Sequence, residues 1–159
     1  MQIILIDKFM KKQLLSLLFA TMLLVSCTES NPLLQEWNTP FGIPPFEDVK
    51  SEHYMPAFKE ALKQHKAEID AIITSTAPAT FENTIAAYDN AGELYSKVSA
   101  VFSSASSVAS NDEIIAIAQE LSPISSAHFN EIRLSDELFA RIKSVYDAKD
   151  SLDLNENQL

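Results

Sequence analysis

Beyond residue 50, apolar side chains recur at alternating gaps of three and four. Met55, Phe58, Leu62, His65, Ile69 and Ile72 follow this spacing, as do Phe81, Ile85, Tyr88, Gly92, Tyr95, Ser99 and Phe102. An α-helix turns once in about 3.6 residues, so each set lies along one side of a helix. No stretch shows the period of two that a half-buried strand requires. Gly42 and Gly92 are the only glycines, which argues against tight hairpins and glycine-rich phosphate loops. The expected fold class is all-α, with about four helices arranged as hairpins.

The first helix is expected over residues 51–73, and the segment from Ser75 to Pro78 breaks it. The second is expected over residues 80–106, with Thr80 capping its first turn. Gly92 sits on its apolar side at a cost of about 1 kcal/mol against alanine, and close helix–helix approach is the usual return. Ser110 and Glu113 have the spacing of a capping box for a third helix, along which Ile114, Ile117, Leu121, Ile124 and His128 continue the stripe. Pro123 should kink or end that helix near Ser122. Ser135 caps a fourth helix, where Leu138, Ile142, Val145 and Tyr146 are expected to face inward.

Ahead of these helices lie two segments of different character. Lys8, Lys11 and Lys12 precede an apolar run from Leu14 to Val25, which ends in Leu24-Val25-Ser26-Cys27. A run of about a dozen apolar residues is too short to span a bilayer and suits a secretory signal. Leu-x-Ser-Cys at its end has the form of a lipobox, in which cleavage precedes the cysteine and the new terminus is acylated. Residues 1–26 are therefore expected to be a lipoprotein signal peptide and Cys27 the lipid attachment site. That places the chain in the cell envelope, membrane-anchored and facing the periplasm or the exterior. Met10-Lys11-Lys12 is a more usual start for such a signal than Met1. Residues 27–50 contain Pro32, Pro40, Pro44 and Pro45 and read as an extended tether. Trp37, Phe41 and Phe46 within it are more aromatic content than a free linker carries, so part of it is expected to pack on the helices.

The chain has 12 basic and 22 acidic residues, net −10. Residues 1–26 hold three of the lysines and one of the acids, leaving 9 basic and 21 acidic residues, net −12. Such a surface repels phosphate backbones, and nucleic acid is excluded as a partner on that ground. Cys27 is the only cysteine, so no disulfide can form within the chain. The three histidines, His53, His65 and His128, form no His-x-x-x-His or His-Glu-x-x-His pattern. His65 and His128 fall on apolar helix sides, where hydrogen-bonded structural roles are expected, and His53, near the start of the first helix, is expected either to cap it or to face solvent. Ser103, Ser104, Ser106, Ser107 and Ser110 are read as small residues where the second helix frays. Neither a catalytic nor a metal-binding residue is expected in this chain.

Three further runs carry more information. They are Asn31-Pro32-Leu33-Leu34 through Trp37-Asn38-Thr39-Pro40-Phe41-Gly42-Ile43-Pro44-Pro45-Phe46, then His53-Tyr54-Met55-Pro56-Ala57-Phe58, then Pro78-Ala79-Thr80-Phe81-Glu82-Asn83-Thr84-Ile85. Their succession resembles the opening of the thimet oligopeptidase and dipeptidyl carboxypeptidase family of zinc metallopeptidases, especially its bacterial peptidyl-dipeptidase branch. The likeness continues through Asn111-Asp112-Glu113 and Leu138-Phe139-Ala140-Arg141-Ile142. It implies that residues 51–159 are part of the N-terminal helical region of a larger, almost wholly helical peptidase, truncated at the C-terminus. It also implies short peptides as substrates and zinc as cofactor of the full-length protein. The zinc motif of that family lies downstream, and nothing here matches it. The residues carried over are therefore structural: Thr80 as a cap, and Phe58, Phe81 and Ile85 as packing residues.

The resulting expectation is the N-terminal part of a lipid-anchored peptidyl-dipeptidase, inactive alone. The alternative is a stand-alone, non-catalytic helical lipoprotein that binds peptides or a protein partner.

Overall fold

The computed structural model describes residues 30–152 together with Leu154 and Asn155. The expected signal segment and Cys27 lie outside those residues. The elements are α1 (Ser51–Thr74), a π-helical turn (Phe81–Ala86) running into the short α2 (Ala87–Asn90), α3 (Glu93–Val108), α4 (Asp112–Arg133) and α5 (Asp136–Ala148). Short 3-10 turns occur at Pro32–Leu34, Pro40–Gly42 and Lys149–Ser151, and there is no strand among the described residues. The all-α expectation holds. No described helix is long and apolar enough to cross a membrane.

Helix α1 is central. It buries Tyr54, Ala57, Phe58, Ala61, Leu62, His65, Ile69 and Ile72, which is the expected stripe widened by its neighbours, with Met55 only half-buried. Helix α3 packs antiparallel on it: Tyr54 and Phe58 meet Phe102, Phe58 meets Tyr95, and further along α1 His65 meets Gly92. Helix α4 runs in the same direction as α1, since Lys59 pairs with Glu120 and Lys66 with Glu131. Two apolar clusters result. One joins Leu33, Tyr54, Ala57, Phe58, Val98, Val101, Phe102, Ile114 and Leu121. The other joins Ile69, Ile72, Ile132 and Leu138.

The expected second helix over residues 80–106 is not continuous. Gly92 adopts φ 82, in the left-handed region, after an extended Ala91. This turns the chain out of α2 and restarts it as α3 in a new phase. Val98, Val101 and Phe102 are consequently the buried residues of α3, whereas Ser99 is only half-buried and Tyr88 is exposed. The close approach expected at Gly92 is present, because a Cβ there would lie 3.2 Å from the ring of His65.

Three other expectations are corrected. Asn111 rather than Ser110 caps α4, its side chain accepting from the Ile114 amide at 2.9 Å. Helix α4 continues through Pro123 to Arg133. Pro123 and Gln119, whose carbonyl loses its amide partner, both lie on the exposed side, where water can satisfy the carbonyl. Buried Leu121 and Ile132 hold the helix to α1 on either side of the proline. In α5, Leu138 and Val145 are buried as expected and Ser135 caps at 3.1 Å, but Tyr146 is exposed and lies under the Lys149 ammonium.

The proline-rich segment is divided. Leu33 is fully buried against α1 and α3. The Asn31 amide donates to the carbonyl of His53 at 2.7 Å, and Lys97 sits 4.1 Å over Trp37 while donating to the carbonyl of Gln35. Phe41 and Phe46, by contrast, face solvent.

Phe58, 1% exposed, touches both Tyr95 and Phe102. Its replacement by alanine should therefore cost about 3–5 kcal/mol in chemical denaturation. An unchanged midpoint would show that this ring is not at the centre of the core.

Candidate functional site

Two groups of the side chains singled out in the sequence come together in the fold. Around the start of the π-helical turn, Thr80 Oγ1 accepts from the Asn83 amide at 3.2 Å while the Thr80 amide donates to Asn83 Oδ1 at 2.8 Å. Such a reciprocal box satisfies two otherwise orphan donors. Phe81 and Ile85 are half-buried and line a groove of about 370 Å³ with Ile142, Val145, Tyr146, Lys149 and Leu154. Phe58 lies apart from them, in the core beneath α3.

Sequence reasoning left out the residue that ties this region together. Arg141 on α5 donates through Nη1 to the carbonyls of Ser75 at 2.8 Å and Ala77 at 3.4 Å, and through Nη2 to Asn83 Oδ1 at 3.3 Å. A planar guanidinium with several fixed donors suits three oxygen acceptors, two on the loop after α1 and one on the π-helical turn. Asn83 Oδ1 thus accepts from Arg141 as well as from the Thr80 amide. The only signal in the sequence was that Arg141 and Asn83 each occur within a run resembling the family.

The second place is the contact of α1 with α4. His65 Nδ1 and His128 Nε2 are 3.0 Å apart and hydrogen-bonded. The His65 ring is 7% exposed and packs against Phe129 and Gly92. Glu68 accepts from the Gly92 amide at 2.7 Å, and Glu131 pairs with Lys66 at 2.9 Å. Burial lowers the pKa of both imidazoles. His53 serves instead as a cap, accepting through Nδ1 from the Lys50 amide at 3.0 Å. The structural roles expected for the histidines are the ones observed, although nothing in the sequence linked His65 to His128. The serines differ from expectation. Ser104, Ser106 and Ser107 lie within α3, each donating to the carbonyl four residues earlier, so the helix does not fray there.

No group of three or more potential metal ligands occurs among the described residues. A zinc ion needs at least three protein ligands, and the facing nitrogens of His65 and His128 are engaged with each other. The described residues do not fit a zinc centre.

No protein-family model matches the chain. Comparison with individual proteins is decisive instead. The dipeptidyl carboxypeptidase of Salmonella typhimurium is 36% identical over 130 residues, 82% of this chain and 19% of the relative. That of Escherichia coli is 35% identical over 132 residues, 83% of the chain and 19% of the relative. The chain's homologues are peptidases of the thimet oligopeptidase family. Oligopeptidase A of Escherichia coli adds a shorter match, 39% identical over 54 residues, 34% of the chain and 7% of that protein. The chain thus spans about a fifth of the length of the dipeptidyl carboxypeptidases it matches. Within it, the residues resembling this family act as caps, core and clamps: Asn31, His53, Phe58, Thr80, Asn83 and Arg141.

Two outcomes follow. Gly92→Ala places a Cβ against the His65 ring in a left-handed conformation, and should destabilise by about 1–3 kcal/mol, measured by urea unfolding. The purified chain should retain no stoichiometric zinc after dialysis, as read by atomic emission; bound zinc would show a ligand set that these residues do not display.

Proposed function

We propose that this chain is the N-terminal helical part of a lipid-anchored zinc metallopeptidase of peptidyl-dipeptidase type. The longer protein would remove dipeptides from the C-termini of short oligopeptides at the cell envelope. The observation that carries this reading is the identity of about 35% to two dipeptidyl carboxypeptidases across four-fifths of the chain. In this reading the chain supplies architecture and no catalytic group. Zinc and the residues that hold it come from elsewhere in the longer protein.

The surface supports a body built to be covered. Helices α4 and α5 bury Ile114 and Leu138 against α1 but leave Ile115, Leu134, Phe139 and Tyr146 exposed, at 47%, 81%, 64% and 63%. Apolar residues on more than one side of these helices fit packing against a further helical surface. The anchor rests on the lipobox ending in Cys27, with Leu24 and Ser26 at the expected positions.

Co-production with a segment carrying His-Glu-x-x-His tests the peptidase reading. A soluble complex that releases C-terminal dipeptides, where neither part does alone, is expected. A chain that stays monomeric, unfolds cooperatively and leaves the dye ANS dark would favour the stand-alone binding lipoprotein. The anchor has its own test: a palmitate analogue should label the chain in vivo and fail to label Cys27→Ser. Equal labelling of the two would remove the anchor from the proposal.

A further inference from the structure

The pair formed by buried His65 and half-buried His128 between α1 and α4 has a use that packing alone does not require. Only one nitrogen of the His65 Nδ1–His128 Nε2 contact can carry a proton and still make the bond, because a hydrogen bond needs one lone pair. Two protons would bring two N–H groups face to face at 3.0 Å.

The surroundings act on that second charge in both directions. From α1, Glu68 is committed to the Gly92 amide and Lys66 to Asp70 and Glu131. From α4, Glu131 is held by Lys66, and Arg133 lies over the ring of Phe129. From α3, the contacts are the Gly92 backbone against His65 and the Tyr95 ring against Phe129. Glu137, at the start of α5, borders the same cleft as His128, together with Lys66, Asp70 and Glu131. Glu68 and Glu131 favour charge on His65 and His128 respectively, whereas burial of both rings and the Lys66 ammonium beside His128 oppose it.

The geometry points to the His65–His128 pair as a proton-operated latch that closes α1 onto the second half of α4 at neutral pH and releases it in acid. A single proton can be shared across the contact, and a second breaks it. Release would widen the cleft of about 310 Å³ that runs over the joint between Lys66, Ile69, Ile73, His128 and Ile132. The first apolar cluster, formed by α1, α3 and the start of α4, contains neither histidine, so it should stay closed.

The direction in pH follows from burial. Both imidazoles have folded-state pKa values below the ordinary 6.5. The unfolded chain therefore binds the protons first, and stability rises with pH through this range. The contribution is complete above about pH 6.5 and is lost as the pH falls toward the lowered folded values.

Hydrogen exchange of the full chain at pH 7.5 and 5.0, corrected for intrinsic rates, tests the latch. Protection over residues 125–148 should fall at least tenfold at the lower pH, while residues 93–108 keep theirs. His128→Gln places an untitratable amide near the Nε2 position and should show no such loss. Equal losses in both proteins, or no loss in the natural one, would overturn the proposal. Imidazole NMR titration of the natural chain needs no variant. Two coupled steps are expected from His65 and His128, and two independent curves at the ordinary value would contradict the latch.

Discussion

The structure depends on one helix, α1, whose inner side from Tyr54 to Ile72 is buried while its other side faces solvent. Helix α1 supplies Tyr54, Ala57, Phe58 and Ala61 to one apolar cluster or its edge and Ile69 and Ile72 to the other. Every other main element leans on it. Ala57 and Ala61 are fully buried, and their small side chains let neighbouring backbones come near. The large residues, led by Phe58, then fill the space that remains between α1 and α3. Helices α3 and α4 meet each other mainly through the Tyr95 and Phe129 rings, with Tyr95 also bonded to Ser125 at 3.3 Å. Loosening α1 would therefore separate its neighbours rather than transfer their contacts.

Much of this was legible in the spacing of apolar residues. The extent of α1, the cap at Ser135 and the burial of Leu138 and Val145 followed from periodicity and local side-chain chemistry. The failures share a cause, which is tertiary contact deciding between local options. Gly92 fits a helical stripe on spacing alone, and only the nearby His65 ring and the Glu68 carboxylate fix it as a left-handed break. Pro123 ends a helix in isolation, but buried residues on both sides of it carry α4 onward. The contacts of Arg141 with Ser75 and of His65 with His128 span more than sixty residues. No local pattern contains such information.

The runs that resemble the family serve the architecture. Asn31 fastens the proline-rich segment to the first turn of α1, where His53 Nδ1 accepts from the Lys50 amide. Thr80 and Asn83 close the π-helical turn upon themselves. These residues have exacting polar geometry, and the likeness to dipeptidyl carboxypeptidases extends over most of the chain. Fold kinship and chemical competence are separate properties of a sequence.

Arg141 sets a lower limit on how short this helical body can be. Its guanidinium is the stitch between α5 and the loop that leaves α1, reaching Ser75, Ala77 and Asn83 from the far end of the described chain. A polypeptide ending at Arg133 would keep α1, α3 and α4 yet leave the carbonyls of that loop to water and strip Leu138 from Ile69 and Ile72. During synthesis the π-helical turn must accordingly wait for some sixty later residues before its last ties form.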